Sequence, residues 1–158
     1  DILELGPMDL PDEVLAQADW VIGSVHYGQK QSRQQITDRI VGALANPHVD
    51  LIAHPTGRLI GSRPPYEVDI DAVIQAAVEF RKALELNSSP MRLDLNEEHL
   101  MAAVRAGVPI AIDTDAHSID GLHVLRFGVM QARRALLEKD QVLNTWPLEM
   151  LQQFTKRA

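Results

Sequence analysis

The sequence predicts an α/β fold in which parallel strands are covered by helices, and three observations lead there. Short apolar, partly β-branched runs alternate with segments of helical periodicity, the runs starting near residues 20, 49, 83 and 108. The repeat of about 30 residues is the size of one strand–helix–strand unit, and such alternation builds a parallel sheet. Each run also ends on polar chemistry: His26, His54, Asn87, and then Asp113, Asp115 and His117 together.

The elements follow in order. Asp1 to Leu5 reads as a strand ended by Gly6-Pro7. Pro11, Asp12 and Glu13 suit a helix start, and Val14 to Ala18 is a short helix. Trp20 to Val25 is an apolar strand running into His26. A helix begins at Ser32, with Ile36, Ile40, Val41 and Leu44 at helical spacing, and Asn46-Pro47 stops it. Val49 to Ala53 is the next strand, ending on His54-Pro55, followed by the loop T-G-R-L-I-G-S-R-P-P-Y. Asp71 to Lys82 is helical, with Val73, Ala76, Ala77 and Phe80 inward. Ala83 to Leu86 is a strand ending on Asn87. Leu95 to Ala106 is a helix with Asn96 as cap and Gly107 as its close. Val108 to Asp113 is a strand, Gly121 to Leu137 is mostly helix, and Pro147 to Lys156 is a last amphipathic helix.

Composition narrows the function. The 158 residues are 46% hydrophobic and 23% charged, ordinary for one globular domain. With no cysteine, disulfides, thiolate metal sites and a cysteine nucleophile are excluded. A net charge of −7 argues against a simple DNA-binding module, which would be basic, and suits carboxylates used as ligands. No apolar run approaches the ~18 residues of a membrane span and no signal peptide is visible, so a cytoplasmic protein without membrane contact is expected. The chain begins at Asp1 in mid-pattern and is expected to be a piece of a longer protein.

In parallel α/β folds ligands gather at the carboxyl ends of the strands. Four successive strands here deliver a metal-binding or polar residue to that rim. Asp115 and His117 stand two apart, so an extended backbone would aim both the same way. Imidazole and carboxylate without thiolate suit zinc, manganese or iron. Such ions make hydroxide near neutral pH and clamp phosphate oxygens. Cations on the same loops, Lys30, Arg58, Arg63 and Arg92, suit a phosphoester whose charge must be neutralised, although Arg63 reads better as a solvated surface charge. His48, His99 and His123 read as structural or surface residues. No P-loop, G-x-G-x-x-G or G-x-S-x-G motif is present. A triad of Ser24, His26 and Asp113 is disfavoured because Ser24 lies inside a strand.

These residues resemble a known family. S-V-H at 24–26, A-H-P-T-G-R at 53–58, E-L-N-S-S-P-M-R-L-D-L at 85–95 and D-T-D-A-H-S at 113–118 are similar to the PHP (polymerase and histidinol phosphatase) domain, most closely the one that ends bacterial family X DNA polymerases. R-F-G-V-M-Q-A-R-R at 126–134 and N-T-W-P-L-E-M-L at 144–151 resemble that group's closing segments. The resemblance implies that residues 1–158 are the C-terminal part of a distorted (β/α)7 PHP barrel, its parallel strands covered by helices. It implies up to three divalent ions, manganese or zinc. His26 and His54 match the ligands of one, Asp115 of a second and His117 of a third. Lys30, Arg58, Asn87 and Arg92 are the expected substrate- and phosphate-binding residues. The implied activity is metal-dependent phosphoester hydrolysis, as a 3′–5′ exonuclease and 3′-end processor in DNA repair, acting on DNA 3′ ends through the parent protein.

The family's first motif, an H-x-H with a following acid, has no counterpart here, and its bridging glutamate would precede Asp1. A barrel of this type needs roughly 200 residues or more. The isolated chain is therefore expected to bind metal weakly, to be nearly inactive, and to self-associate through open strand edges. Its missing N-terminal barrel strands and the polymerase domains would be its partners. Two alternatives stand beside this reading: a phosphatase of a small ester such as histidinol phosphate, and a catalytically inactive scaffold.

Overall fold

The computed structural model describes residues 1–155. Four parallel strands form one sheet in the order β1 (Ile22–Gly23), β2 (Leu51–Ile52), β3 (Ala83–Asn87) and β4 (Ile110–Asp113). Helices α1 (Asp12–Leu15), α2 (Arg33–Ala45), α3 (Ile70–Glu79), α4 (Glu97–Ala106), α5 (Leu125–Arg134) and α6 (Leu148–Thr155) alternate with or follow them. The α/β class expected from the sequence is thus observed, and it is compatible with part of a (β/α) barrel.

The two faces of the sheet differ, and the difference positions the site. Side chains alternate along a strand. Ile52, Leu84, Leu86, Ile110 and Ile112 point into the main core, where they meet Ile36, Ile40, Leu44, Val73 and Leu100 from the helices. On the opposite face Leu51 and Ala83 form a smaller cluster with Leu143, flanked by Trp20, Trp146, Leu151 and Phe154. Phe154 of α6 meets Trp146 edge-on at 5.7 Å and Trp20 at 6.3 Å. Toward the carboxyl ends this second face turns polar: Glu85 and Asn87 on β3, Asp113 on β4. Asn87 is in register with Asp113, and Glu85 with Ala111.

The helix ends obey local chemistry. Ser32 and Gln35 form a reciprocal capping box for α2. Asp69 caps α3 and Asn96 caps α4 through Ala72 and His99 N–H groups. Gly107 ends α4 at φ 87°, where a side chain would be strained.

Several boundaries differ from expectation. Asp1 to Leu5 is not a strand. The Gly6-Pro7 turn leaves arms too short for a ladder, and one bridge, Ile2 with Met8, remains. The carbonyls of Ile2 and Leu3 go instead to the buried Arg39 guanidinium at 2.7 and 2.9 Å. Strands β1 and β2 are shorter than the apolar runs around them. The Asp50 carboxylate takes the Val21 N–H at 2.7 Å, and β2 stops as His54 turns to φ 32°. Leu95 precedes the cap and lies outside α4. The stretch expected to be helical from Gly121 to Leu137 is a 3₁₀ segment over Ile119–Val124, then α5, and the chain leaves at Leu136 with φ 60°. Helix α6 begins one residue after Pro147, and Lys156 lies outside the described residues.

The outer strands of the sheet are partly paired. Beside β4, Asn144 accepts the Ile112 N–H at 2.7 Å and donates to the Ile112 carbonyl at 3.0 Å, while Val142 bridges Ile110. A side-chain amide thus does the work of a fifth strand there. Beyond β1, the Ile2 N–H donates to the Ser24 carbonyl at 2.8 Å. Among the described residues no helix is long and apolar enough to cross a membrane.

Candidate active site

Parallel pairing puts all four strand ends on one rim, so the residues that follow the strands meet there. The ring of His26, three residues past β1, lies 5.3 Å from the ring of His54, two past β2, at 47°. His26 is half exposed, and its Nδ1 is 2.5 Å from Asp1 Oδ1. His54 is buried, 3% exposed. Its backbone N–H donates to Glu85 Oε2, and its carbonyl accepts from Gly57 N–H and Tyr66 O–H. Its ring Nδ1 is buried without a hydrogen-bond partner. Burial, then the Arg92 charge, pushes the imidazole down to about 4, so the ring is neutral and its lone pair available near pH 7. Burial also lowers His26.

Asp115 is exposed, and its charge opposes that lowering in both histidines, which places it on the same rim. The same-side argument for Asp115 and His117 does not hold, however. Asp115 has φ 49°, so the backbone is not extended there. The His117 ring turns back, Nδ1 2.8 Å from the Asp115 carbonyl. The structure therefore brings the His26 and His54 rings together, sets Asp115 on the same rim within reach of their charge, and leaves His117 exposed beside Asp115.

The expected phosphate-binding residues divide. Arg92 is half-buried, its Nη1 without a partner, and its charge acts on both histidines. Lys30 is exposed on the loop after His26. Arg58 is spent internally, donating to the Arg92 and Leu93 carbonyls at 2.7 and 2.5 Å. Asn87 is fully buried, its Oδ1 accepting from Ser89 N–H at 3.0 Å. Both brace the segment that carries Arg92; Asn87 is shut off from solvent, whereas Arg58 is only partly buried. Arg63 is not a free surface charge: it donates to the Gly57 carbonyl at 3.1 and 2.6 Å and to Gln29 at 2.7 Å.

Glu85, Asp113 and Asp94 complete the rim. Glu85 is 2% exposed and hydrogen-bonded to Asp113. Burial, and next the Asp113 charge, drives Glu85 well above the usual carboxylate range, and burial raises Asp113 too. Asp94, fully buried, accepts from Thr56 N–H at 3.1 Å. Burial raises it to about 6. The sequence signal for Glu85 was a single acid inside a strand otherwise apolar, two residues before Asn87 and so on its face.

Two imidazoles and nearby carboxylates are a donor set suited to a borderline divalent ion, and the unpartnered Nδ1 of His54 fits such a role. Among the described residues no three metal-capable side chains converge, so the chain offers a partial ligand set.

A 157-residue stretch of the DNA polymerase/3′-5′ exonuclease PolX of Bacillus subtilis strain 168 is 49% identical to this chain, covering 99% of it. The chain is a relative of PolX. It is also related to probable phosphatases: one from Thermoanaerobacter sp. strain X514 is 33% identical over 151 residues, 90% of this chain. Another, from Caldanaerobacter subterraneus, is 32% identical over 123 residues, 72% of the chain. The chain spans 28% of the length of PolX and 59% and 46% of the two phosphatases. No family model matches the chain.

Proposed function

We propose that the chain is part of a PHP-type, divalent-metal-dependent phosphoesterase that trims DNA 3′ ends. The observation that carries the reading is the His26–His54 ring pair, set at adjoining strand ends within reach of the Asp115 charge. The similarity to PolX supports DNA 3′ ends as the substrate. In this reading His26 and His54 hold one ion, with Asp115 and His117 serving further ones. A manganese or zinc ion, when bound, supplies hydroxide near neutral pH and neutralises phosphate charge.

The protein's own contribution is positional. Burial keeps His54 neutral. The unpaired Nη1 of Arg92 and the exposed Lys30 offer positive charge to the phosphate, while Arg58 and Asn87 hold the loop behind Arg92. The remaining ligands would come from elsewhere in a longer protein, which accounts for the partial set here. In the full-length protein, His54→Ala or Asp115→Ala abolishes manganese-dependent removal of 3′ nucleotides and leaves nucleotide insertion intact. Nuclease activity surviving both changes overturns the reading.

The similarity to probable phosphatases favours a second reading, hydrolysis of a small phosphate monoester. Turnover of a small aryl phosphate, lost in His54→Ala, with no release of nucleotides from DNA 3′ ends, would decide for it.

A further inference from the structure

Glu85 sits in the middle of β3, where every residue is buried. A carboxyl group there is costly unless its hydrogen-bonding capacity is used, and an apolar side chain would fill the place at lower cost. Its bonds run to three places, one of them local: Asn87 Nδ2, on the same strand, donates to Glu85 Oε1 at 3.5 Å. Oε2 accepts the backbone N–H of His54, and the acid group is hydrogen-bonded to Asp113 on the neighbouring strand. Asp113 Oδ1 in turn accepts the backbone N–H of Asp115 at 3.0 Å. One continuous line of hydrogen bonds thus joins the loop after β2 to the loop after β4, passing over β3.

Both ends of that line are strained. His54 has φ 32° and Asp115 φ 49°, values that are unfavourable for a residue with a Cβ and persist only where the surroundings enforce them. In each case the enforcing bond to the residue's own N–H comes from the acid pair. We propose that Glu85 and Asp113 are paired positioning residues, which hold His54 and Asp115 by their backbone N–H groups and so set the two sides of the site relative to each other. The proposal rests on reading His54 and Asp115 as metal-binding residues, but the backbone coupling it asserts can be measured without metal.

The test uses the complete chain, labelled with ¹⁵N, in three variants. Glu85→Leu fills the space and removes the bonds to His54, Asn87 and Asp113. Glu85→Gln keeps an acceptor for His54 and a donor for Asp113. Asp113→Ala cuts the line from its other, half-exposed end, and serves if Glu85→Leu does not fold. Glu85→Leu and Asp113→Ala should each displace the amide resonances of both His54 and Asp115, and Glu85→Gln should restore both. Manganese(II) affinity should fall about 10- to 100-fold in the two disruptive variants and return in Glu85→Gln. A variant that moves only its immediate neighbour's amide, or a Glu85→Gln as damaging as Glu85→Leu, overturns the proposal. If the amides move together but the unaltered chain takes no manganese(II), the positioning pair stands and the metal reading falls. If manganese(II) binds normally with the line cut, the pair falls and the metal reading stands.

Discussion

His26 and His54 face each other with ring centroids 5.3 Å apart, one half exposed and the other buried. The contact exists because β1 and β2 are parallel neighbours whose loops leave the same rim. The burial of His54 gives it a distinct acid response. Its imidazole is held at about 4 against an ordinary 6.5, so between those values the folded chain binds fewer protons than the unfolded one. Stability is therefore lost as the pH falls through that window. At about 1.4 kcal/mol per unit the loss is about 3 kcal/mol. Urea titrations at pH 7 and pH 4 should show it as a difference: relative to His54→Gln, the natural chain should lose about 3 kcal/mol of stability between the two.

Asp94 acts in the opposite direction. Burial lifts its carboxyl to about 6 from 3.8. Between those values the folded chain binds more protons, so this group's contribution is full below 3.8 and is lost as the pH rises through 6. Asp94→Asn keeps an acceptor for Thr56 N–H and removes the titration. The stability of the natural chain relative to this variant should rise by about 3 kcal/mol between pH 7 and pH 4.

Gly57 and Gly61 separate backbone strain from a clash. Both have positive φ, 61° and 76°. A Cβ at Gly57 would lie 2.1 Å from Tyr66 Cε1, whereas at Gly61 nothing lies within 4 Å. Gly61→Ala should cost about 1 kcal/mol. Gly57→Ala must also displace Tyr66, whose hydroxyl donates to the His54 carbonyl, and should cost about 1–3 kcal/mol more. Thermal denaturation of the two variants side by side measures the difference.

Asn144 closes the β4 edge with two hydrogen bonds to Ile112. Asn144→Ala should destabilise the chain by about 1–3 kcal/mol and expose an edge open to pairing. Sedimentation at rising concentration should show self-association in the variant beyond that of the natural chain.

How much of this was legible in the sequence depends on what each residue does. The alternation of elements, the caps at Ser32 and Asn96, and the rim of His26, His54 and Asp115 followed from periodicity and from the rule that parallel strands share an end. Where the backbone leaves ideal geometry, prediction failed. The relation of His117 to Asp115 turned on a φ of 49°. The strand at Asp1 to Leu5 was lost because Arg39, polar within an otherwise apolar helix face, captures the carbonyls a partner strand would have used. Arg58 and Asn87 looked like substrate residues from their places after strands; the structure adds that Asn87 is fully buried and that two of the three Arg58 nitrogens hold the Arg92 and Leu93 carbonyls. Glu85 was passed over because a lone acid in a strand carries no periodic signal; its meaning comes from Asp113, which only the register of β3 with β4 brings beside it.

Divalent-ion binding at the rim of His26, His54 and Asp115 is measured by paramagnetic broadening of amide resonances with substoichiometric manganese(II), which registers weak binding and places it. Broadening should centre on His26, His54, Asp115 and His117 and be lost in a His54→Ala/Asp115→Ala double variant that remains folded. Broadening spread over the acidic surface, or centred on the rim but undiminished in the double variant, would contradict binding at this rim.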